Sequence, residues 1–222
     1  MFPELSSVLK TNKGFYLPFL VFLMLGTIVV CLVPKADSFL WLNQFHHPFF
    51  DRIFPYATHL GDGKLGLLLL LGLLLVNYRL ALTATVCFLL VLVLTQVGKL
   101  VIFEDVLRPA GHFRELDLPI RLVEGVQMHY NNSFPSGHSA SAFGLYSFLA
   151  LIIPAKKWGW LLFAVALFAA YSRIYLSQHF FNDVYVGSFI GAACTLLGYV
   201  WMHEKVFKTP KNWHNKGLLR RK

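Results

Sequence analysis

Three apolar runs without a charged side chain divide the chain: Phe15–Val33 (19 residues), Leu80–Val97 (18) and Val184–Met202 (19). A helix crossing a bilayer core takes roughly 20 mostly apolar residues. Three shorter apolar segments, Leu65–Val76, Ser139–Ile153 and Trp158–Tyr171, reach that length by placing flanking polar residues at the interface. The pattern predicts six membrane helices in one bundle. Asn77–Arg79 and Pro154–Lys157 read as tight turns on one side. On the other side lie two long connections, Pro34–Lys64 and Phe103–Pro135. The first holds "FLWLNQFHHPFFDRIF", aromatic enough to lie flat in the interface as an amphipathic helix. The second exceeds about 15 residues, a length that usually has a task.

Composition sharpens this. The chain has 222 residues, so one domain, 1–222, is expected. Apolar residues make up 56% and charged residues 14%, an unusual balance for a soluble globular protein of this size. Lys10 and Lys13 precede the first run as in a secretory signal, but the run is longer than a signal core and no A-x-A-like site follows Val33, so a retained first helix is expected. The net charge is +9, and its placement has a direction. Lys10, Lys13, Arg79, Lys156, Lys157 and the seven basic residues of the Lys205–Lys222 tail total 12 on one side. Lys35, Arg52, Lys64, Arg108, Arg114 and Arg121 make 6 on the other. Lysine and arginine mark the cytoplasmic side, so both termini are expected inside. The basic tail reads as a partner for anionic headgroups rather than for nucleic acid. Cys31, Cys87 and Cys194 fall inside predicted helices with no metal or disulfide spacing, and read as buried small hydrophobes.

Three polar clusters fall on the outer side. The first ends the third helix, with Lys99 and Arg108. The second, "SFPSGHSAS", opens the fourth helix. Pro135 ends an extended segment, Ser136 is a good N-cap, and Gly137 lets a ligand approach the backbone. The free N–H groups of that helix start suit an anion, with His138 at its mouth. The third is "YSRIYLSQHFFNDVYVG". His179 and Asp183 are four apart, one helical turn, so the carboxylate fixes the imidazole tautomer and leaves the other nitrogen free. Arg173 is out of phase with His179 on a continuous helix, so a turn near Ser177–Gln178 is needed to bring it back. An ordinary interfacial cluster accounts for any one of these residues. Arg108, His138, Arg173, His179 and Asp183 together on one membrane face point to function. His46, His47, His59, His112, His129, His203 and His214 lack a patterned partner and read as structural or interfacial.

These clusters resemble the signature of the type 2 phosphatidic acid phosphatases, whose site is shared with vanadium haloperoxidases. "PSGH" at 135–138 matches the second motif in full, "SRIYLSQHFFND" at 172–183 matches the third, S-R-x5-H-x3-D, and "RP" at 108–109 ends the first, K-x6-R-P. The match covers about residues 99–183. One departure stands: eight residues separate Lys99 from Arg108, which on an ideal helix puts the two about 180° apart. Either the helix ends or bulges near Glu104–Asp105, or Lys99 is not a phosphate ligand.

The resemblance implies an all-α polytopic membrane bundle with its active site at the outer interface. It implies His179 as nucleophile, Asp183 orienting it, and His138 protonating the leaving oxygen and then activating water. Arg108, Arg173, Lys99, Ser136 and the Gly137 backbone would hold the phosphoryl oxygens. The expected substrate is a phosphorylated lipid: undecaprenyl diphosphate first, with phosphatidylglycerophosphate, phosphatidate or lipid A phosphates as alternatives. The expected place is a bacterial inner membrane, with the site facing the periplasm or exterior. No metal or cofactor is expected, because no carboxylate cluster suggests a metal site. A haloperoxidase does not suit so hydrophobic a chain. The rival of another class is a non-catalytic lipid-binding or transport protein, against which the intact His138–His179–Asp183 set argues.

Overall fold

A computed structural model of the chain describes residues 4–209 and 211–219. Those residues form helices joined by turns and loops: α1 (Leu5–Thr11), α2 (Lys13–Leu32), α3 (Lys35–Asn43), α4 (Pro48–Ala57), α5 (Gly63–Val76), α6 (Tyr78–Val97), α7 (Pro109–Glu115), α8 (Gly137–Ile152), α9 (Gly159–Tyr175) and α10 (Phe181–Trp201). Each of the six apolar segments is a helix. Four helical stretches, Lys13–Leu32, Tyr78–Ile102, Lys156–Tyr175 and Phe181–Val206, are long and apolar enough to cross a membrane. A fifth candidate is the pair Pro48–Gly61 and Gly63–Val76, bent by 46°. Only 22% of the most apolar window of α2 is buried, and Leu17, Met24 and Leu25 are exposed along it. A soluble protein does not present such a surface to water, so the chain is an integral membrane protein whose outer solvent is lipid.

The central helix is α8, packed against α10, α9 and α6. Its 16 residues are too few to meet the length for a span, yet most are buried by protein. Close approach of α10 is what orders this centre. Gly187 and Gly191 are four residues apart and share one face. A Cβ at Gly187 would run into the Ser136 carbonyl, and one at Gly191 into the Ala140 carbonyl. Small residues at this spacing let membrane helices approach backbone to backbone, and here they lock the start of α8 against the start of α10. The amide of Ser136 donates to the Asp183 carbonyl at 3.0 Å, which ties the two helix starts together directly.

Three expectations change. The aromatic segment of the first long connection is two helices, not one. The chain breaks after Asn43, and α4 runs on through a 3-10 turn, Thr58–Gly61, that packs on α8 and α9. Pro48 sits in the first turn of α4, where proline's missing N–H costs nothing. Second, Cys31 is exposed on α2, whereas Cys87 is buried and Cys194 is intermediate. A small apolar side chain on a lipid-facing helix gains nothing from being inside. Third, α6 does not run straight to Arg108: a π-helical turn, Gly98–Ile102, follows Val97, and Asp105 has φ 58° in the loop after it. The helix therefore bulges and ends, and the 180° argument against Lys99 lapses. The C-terminal segment folds back on the Asn77–Arg79 turn. Leu218 and Leu219 donate to the Leu74 and Leu75 carbonyls at 3.1 and 2.9 Å, and Tyr78 N–H donates to Lys216 O at 2.7 Å. Pro210 and the end of the tail, residues 220–222, lie outside the described residues.

Candidate active site

The turn needed between Arg173 and His179 is present. Helix α9 ends after Tyr175, Ser177 adopts φ 55°, and the Arg173 carbonyl accepts from both Gln178 N–H (2.9 Å) and His179 N–H (3.2 Å). The chain then enters α10, whose first turn carries Asp183. Its carboxylate accepts from the Phe180 amide at 2.9 Å, as an acidic residue in a helix's first turn does for orphan donors. Two helix ends thus meet, one bringing a cation and the other a carboxylate.

His179 is 1% exposed. Its Nδ1 lies 3.4 Å from Asp183 Oδ2, so the ring proton sits on Nδ1 and the lone pair on Nε2. Arg108 Nη1 faces that lone pair at 3.4 Å. Burial first, then the charges of Arg108, Arg173 and Lys99, hold the His179 imidazole well below its usual range. The Ser133 hydroxyl donates to Asp183 Oδ2 at 2.5 Å and lies 3.4 Å from His179 Nδ1. It makes a third member of the pair and is fully buried.

Backbone carbonyls hold Arg108, and a side-chain hydroxyl holds Arg173. Arg108 N-caps α7. Its Nε donates to Asn131 O (2.9 Å), its Nη1 to Gln178 O and Oε1 (both 3.2 Å), and its amide to Tyr130 O (2.7 Å). Arg173 is 8% exposed, and its Nη1 donates to Thr58 Oγ1 at 2.6 Å. Its Nε is buried without a partner among the described residues. An unpaired buried guanidinium N–H is costly, and a phosphoryl oxygen is the group that suits it. Ser136 is fully buried and caps α8. Its Oγ accepts from Ser139 N (3.4 Å) and Ser139 Oγ (2.9 Å), which leaves its own hydroxyl proton available. His138 sits in the first turn of that helix, partly buried.

A cavity of about 420 Å³ opens beside these groups, between α5, α6 and α8. Lys99, Gly137 and Ser141 line its polar part, and Leu67, Phe88 and Leu92 belong to its apolar walls. A cationic mouth on an apolar slot suits an amphiphile with an anionic head. The structure therefore places Arg108, Arg173, His179 and Asp183 around one point, and Lys99 and Gly137 on the adjoining cavity. The sequence reading missed Ser133, Gln178 and Thr58. All three are buried polar residues. Only the nearness of Ser133 and Gln178 to the motifs hinted at them; nothing local marked Thr58.

The chain matches the model of the PAP2 superfamily over residues 74–207. It is 32% identical over 87 residues to a lipid A 1-phosphatase of Porphyromonas gingivalis, covering 38% of this chain and 19% of that protein. It is 29% identical over 120 residues to an undecaprenyl-diphosphatase of Sulfolobus acidocaldarius, covering 54% and 53%. The chain thus spans about half or less of these curated relatives. Among solved structures, Aquifex aeolicus LpxE superposes with a TM-score of 0.59 at 29% identity, over 72% of this chain and 91% of that one. The first transmembrane PAP2 type phosphatidylglycerolphosphate phosphatase from Bacillus subtilis superposes with a TM-score of 0.51 at 21% identity, over 87% and 96%, a likeness of fold.

Proposed function

The chain belongs to the PAP2 superfamily, and on that premise we propose that it hydrolyses a phosphate or diphosphate ester of a membrane lipid through a phosphohistidine on His179. The observation that carries this is the buried His179–Asp183 pair with Arg108 on its free nitrogen, together with Arg173, whose charge acts on the same imidazole and whose Nε has no partner among the described residues. In the first step Nε2 attacks phosphorus as Arg108 moves from the lone pair to a phosphoryl oxygen. The P–O bond to the lipid breaks, and His138 delivers a proton to the leaving oxygen. In the second step His138 takes a proton from water, which attacks phosphorus and frees His179. Arg108, Arg173, Lys99 and the start of α8 at Ser136–Gly137 carry the oxygens. Asp183 and Ser133 hold the imidazole and stabilise its positive form. Phosphoryl transfer consists mainly of positioning and charge stabilisation, which suits so rigid a cationic set.

The cavity supports a lipid tail lying between α5 and α6. Undecaprenyl diphosphate is the substrate we favour, supported by the matched undecaprenyl-diphosphatase. A lipid A phosphate is the second reading, supported by the matched lipid A 1-phosphatase and by LpxE. The test is phosphate release from a panel of both lipids, phosphatidylglycerophosphate and phosphatidate in detergent. It is run on the wild type and on Gly66→Phe, which fills the cavity wall. Losing contact with two methylenes costs about 1.6 kcal/mol, roughly tenfold. Gly66→Phe should raise KM for the lipid by about that factor and leave p-nitrophenyl phosphate within about twofold. Equal effects on both substrates would put the lipid tail elsewhere.

We further propose one domain over residues 1–222 with six spans, both termini cytoplasmic and the site on the outer face of a bacterial inner membrane. The 12 to 6 division of basic residues supports this side. In a chain with its native cysteines replaced, Glu115→Cys should label with an impermeant thiol reagent in intact cells or spheroplasts, and Lys157→Cys only after lysis. The reverse pattern would move the site to the cytoplasmic leaflet and end the outer-face recycling role.

A further inference from the structure

A second polar network, made by groups outside the site, converges on the turn between Arg173 and His179. Asn43, the last residue of α3, is 5% exposed. Its Nδ2 donates to Ile174 O (2.9 Å), Tyr175 O (3.1 Å) and Ser177 Oγ (3.3 Å). Its Oδ1 meets His46 Nε2 at 3.3 Å, and His46 Nδ1 meets Asp51 Oδ1 at 3.3 Å. That carboxylate oxygen accepts from the Tyr175 hydroxyl at 2.6 Å. The other, Oδ2, pairs with Arg121 Nη2 at 2.8 Å, and the Arg121 carbonyl accepts from Ser177 Oγ at 3.2 Å. Four separate segments, α3, α4, the loop at Arg121 and the end of α9, are thus hydrogen-bonded around one turn.

The turn needs this support. A helix ends with carbonyls that lack intrahelical partners, and helices commonly satisfy them with a glycine in the left-handed conformation. Here that position is Ser177 at φ 55°, where a side chain costs energy. Backbone amides reach the Arg173 and Ile174 carbonyls, and Asn43 adds a side-chain donor to the Ile174 and Tyr175 carbonyls and to Ser177 Oγ. The same turn sets catalytic geometry, because the Arg173 carbonyl accepts from the His179 amide. Movement of the α9 end therefore moves the guanidinium relative to the imidazole.

We propose that Asn43 is a positioning residue for phosphoryl transfer, and that the chain Asn43–His46–Asp51–Tyr175 fixes Arg173 against His179. This rests on the phosphoryl-transfer reading of the site. Asn43 touches no reacting atom. It acts by holding the turn so that the equatorial cation and the axial nucleophile meet one phosphorus together. The outer helices α3 and α4 are then part of the catalytic frame.

The probes are orthovanadate and inorganic phosphate, with the purified full chain in detergent. Vanadate in its five-coordinate form needs His179 Nε2 on the axis and Arg173 around the equator at once, whereas phosphate needs only the cations. In Asn43→Ala, vanadate binding should weaken about tenfold or more, since an ångström of misplacement costs up to about 10²-fold. Phosphate binding should stay within about twofold. Asp51→Asn keeps an acceptor for Tyr175 but loses the charge toward Arg121. It should weaken vanadate alone by about threefold, and it decides the matter if Asn43→Ala does not purify folded. Wild-type vanadate binding in both variants would overturn the proposal, as would equal weakening of both anions. If the wild type binds neither anion, the phosphoryl-transfer reading itself falls.

Discussion

His179→Ala loses turnover by about 10³-fold or more, the scale seen when a member of a catalytic unit is removed. The substitution deletes the Nε2 whose lone pair Arg108 faces. Water would then have to attack directly with no covalent intermediate, so the residual rate is what the cations alone supply. The fold should survive, because Asp183 keeps the Ser133 hydroxyl and the Phe180 amide as donors. The check is phosphate release by detergent-purified protein that elutes as the wild type does. Most of the activity remaining in such a preparation would rule out His179 as nucleophile.

His138→Ala slows turnover of an alkyl phosphate by about 10²–10⁴-fold, the contribution of a positioned acid or base. The loss should depend on the leaving group. A lipid alkoxide needs its proton in the first step, whereas p-nitrophenolate leaves without one. The variant should therefore keep most of its burst of p-nitrophenol release while the second step, activation of water, stalls. Stopped-flow release of p-nitrophenol separates the two. A steady state without a burst, with both substrates slowed alike, would give His138 a purely structural part.

The helix centres were legible in the sequence because lipid imposes long uncharged runs, and each run is a helix. What was not legible were features set by distant partners. The break after Asn43 depends on an asparagine that leaves α3 to bind the end of α9, over 130 residues away. The π turn at Gly98–Ile102 was not legible, because apart from Lys99 its residues do not set it off from the apolar helix before it. Among site residues, Arg108, Arg173, His179 and Asp183 were legible by type and spacing, as was the turn at Ser177. Ser133 was not: a serine in a polar loop carries no local mark, and its role appears only when α10 brings Asp183 beside it. His46 was set aside for the same reason, since its partners Asp51 and Tyr175 arrive from α4 and α9.

The most direct measurement is a rapid quench of His138→Ala with p-nitrophenyl phosphate, followed by phosphopeptide mapping of the denatured protein. A phosphohistidine mechanism predicts an acid-labile, base-stable phosphate on the peptide holding His179, in amounts approaching one per active chain. It should be absent from the same experiment on the His179→Ala, His138→Ala double variant. Product formation with no phosphate on His179, or with phosphate on another residue, would contradict the mechanism.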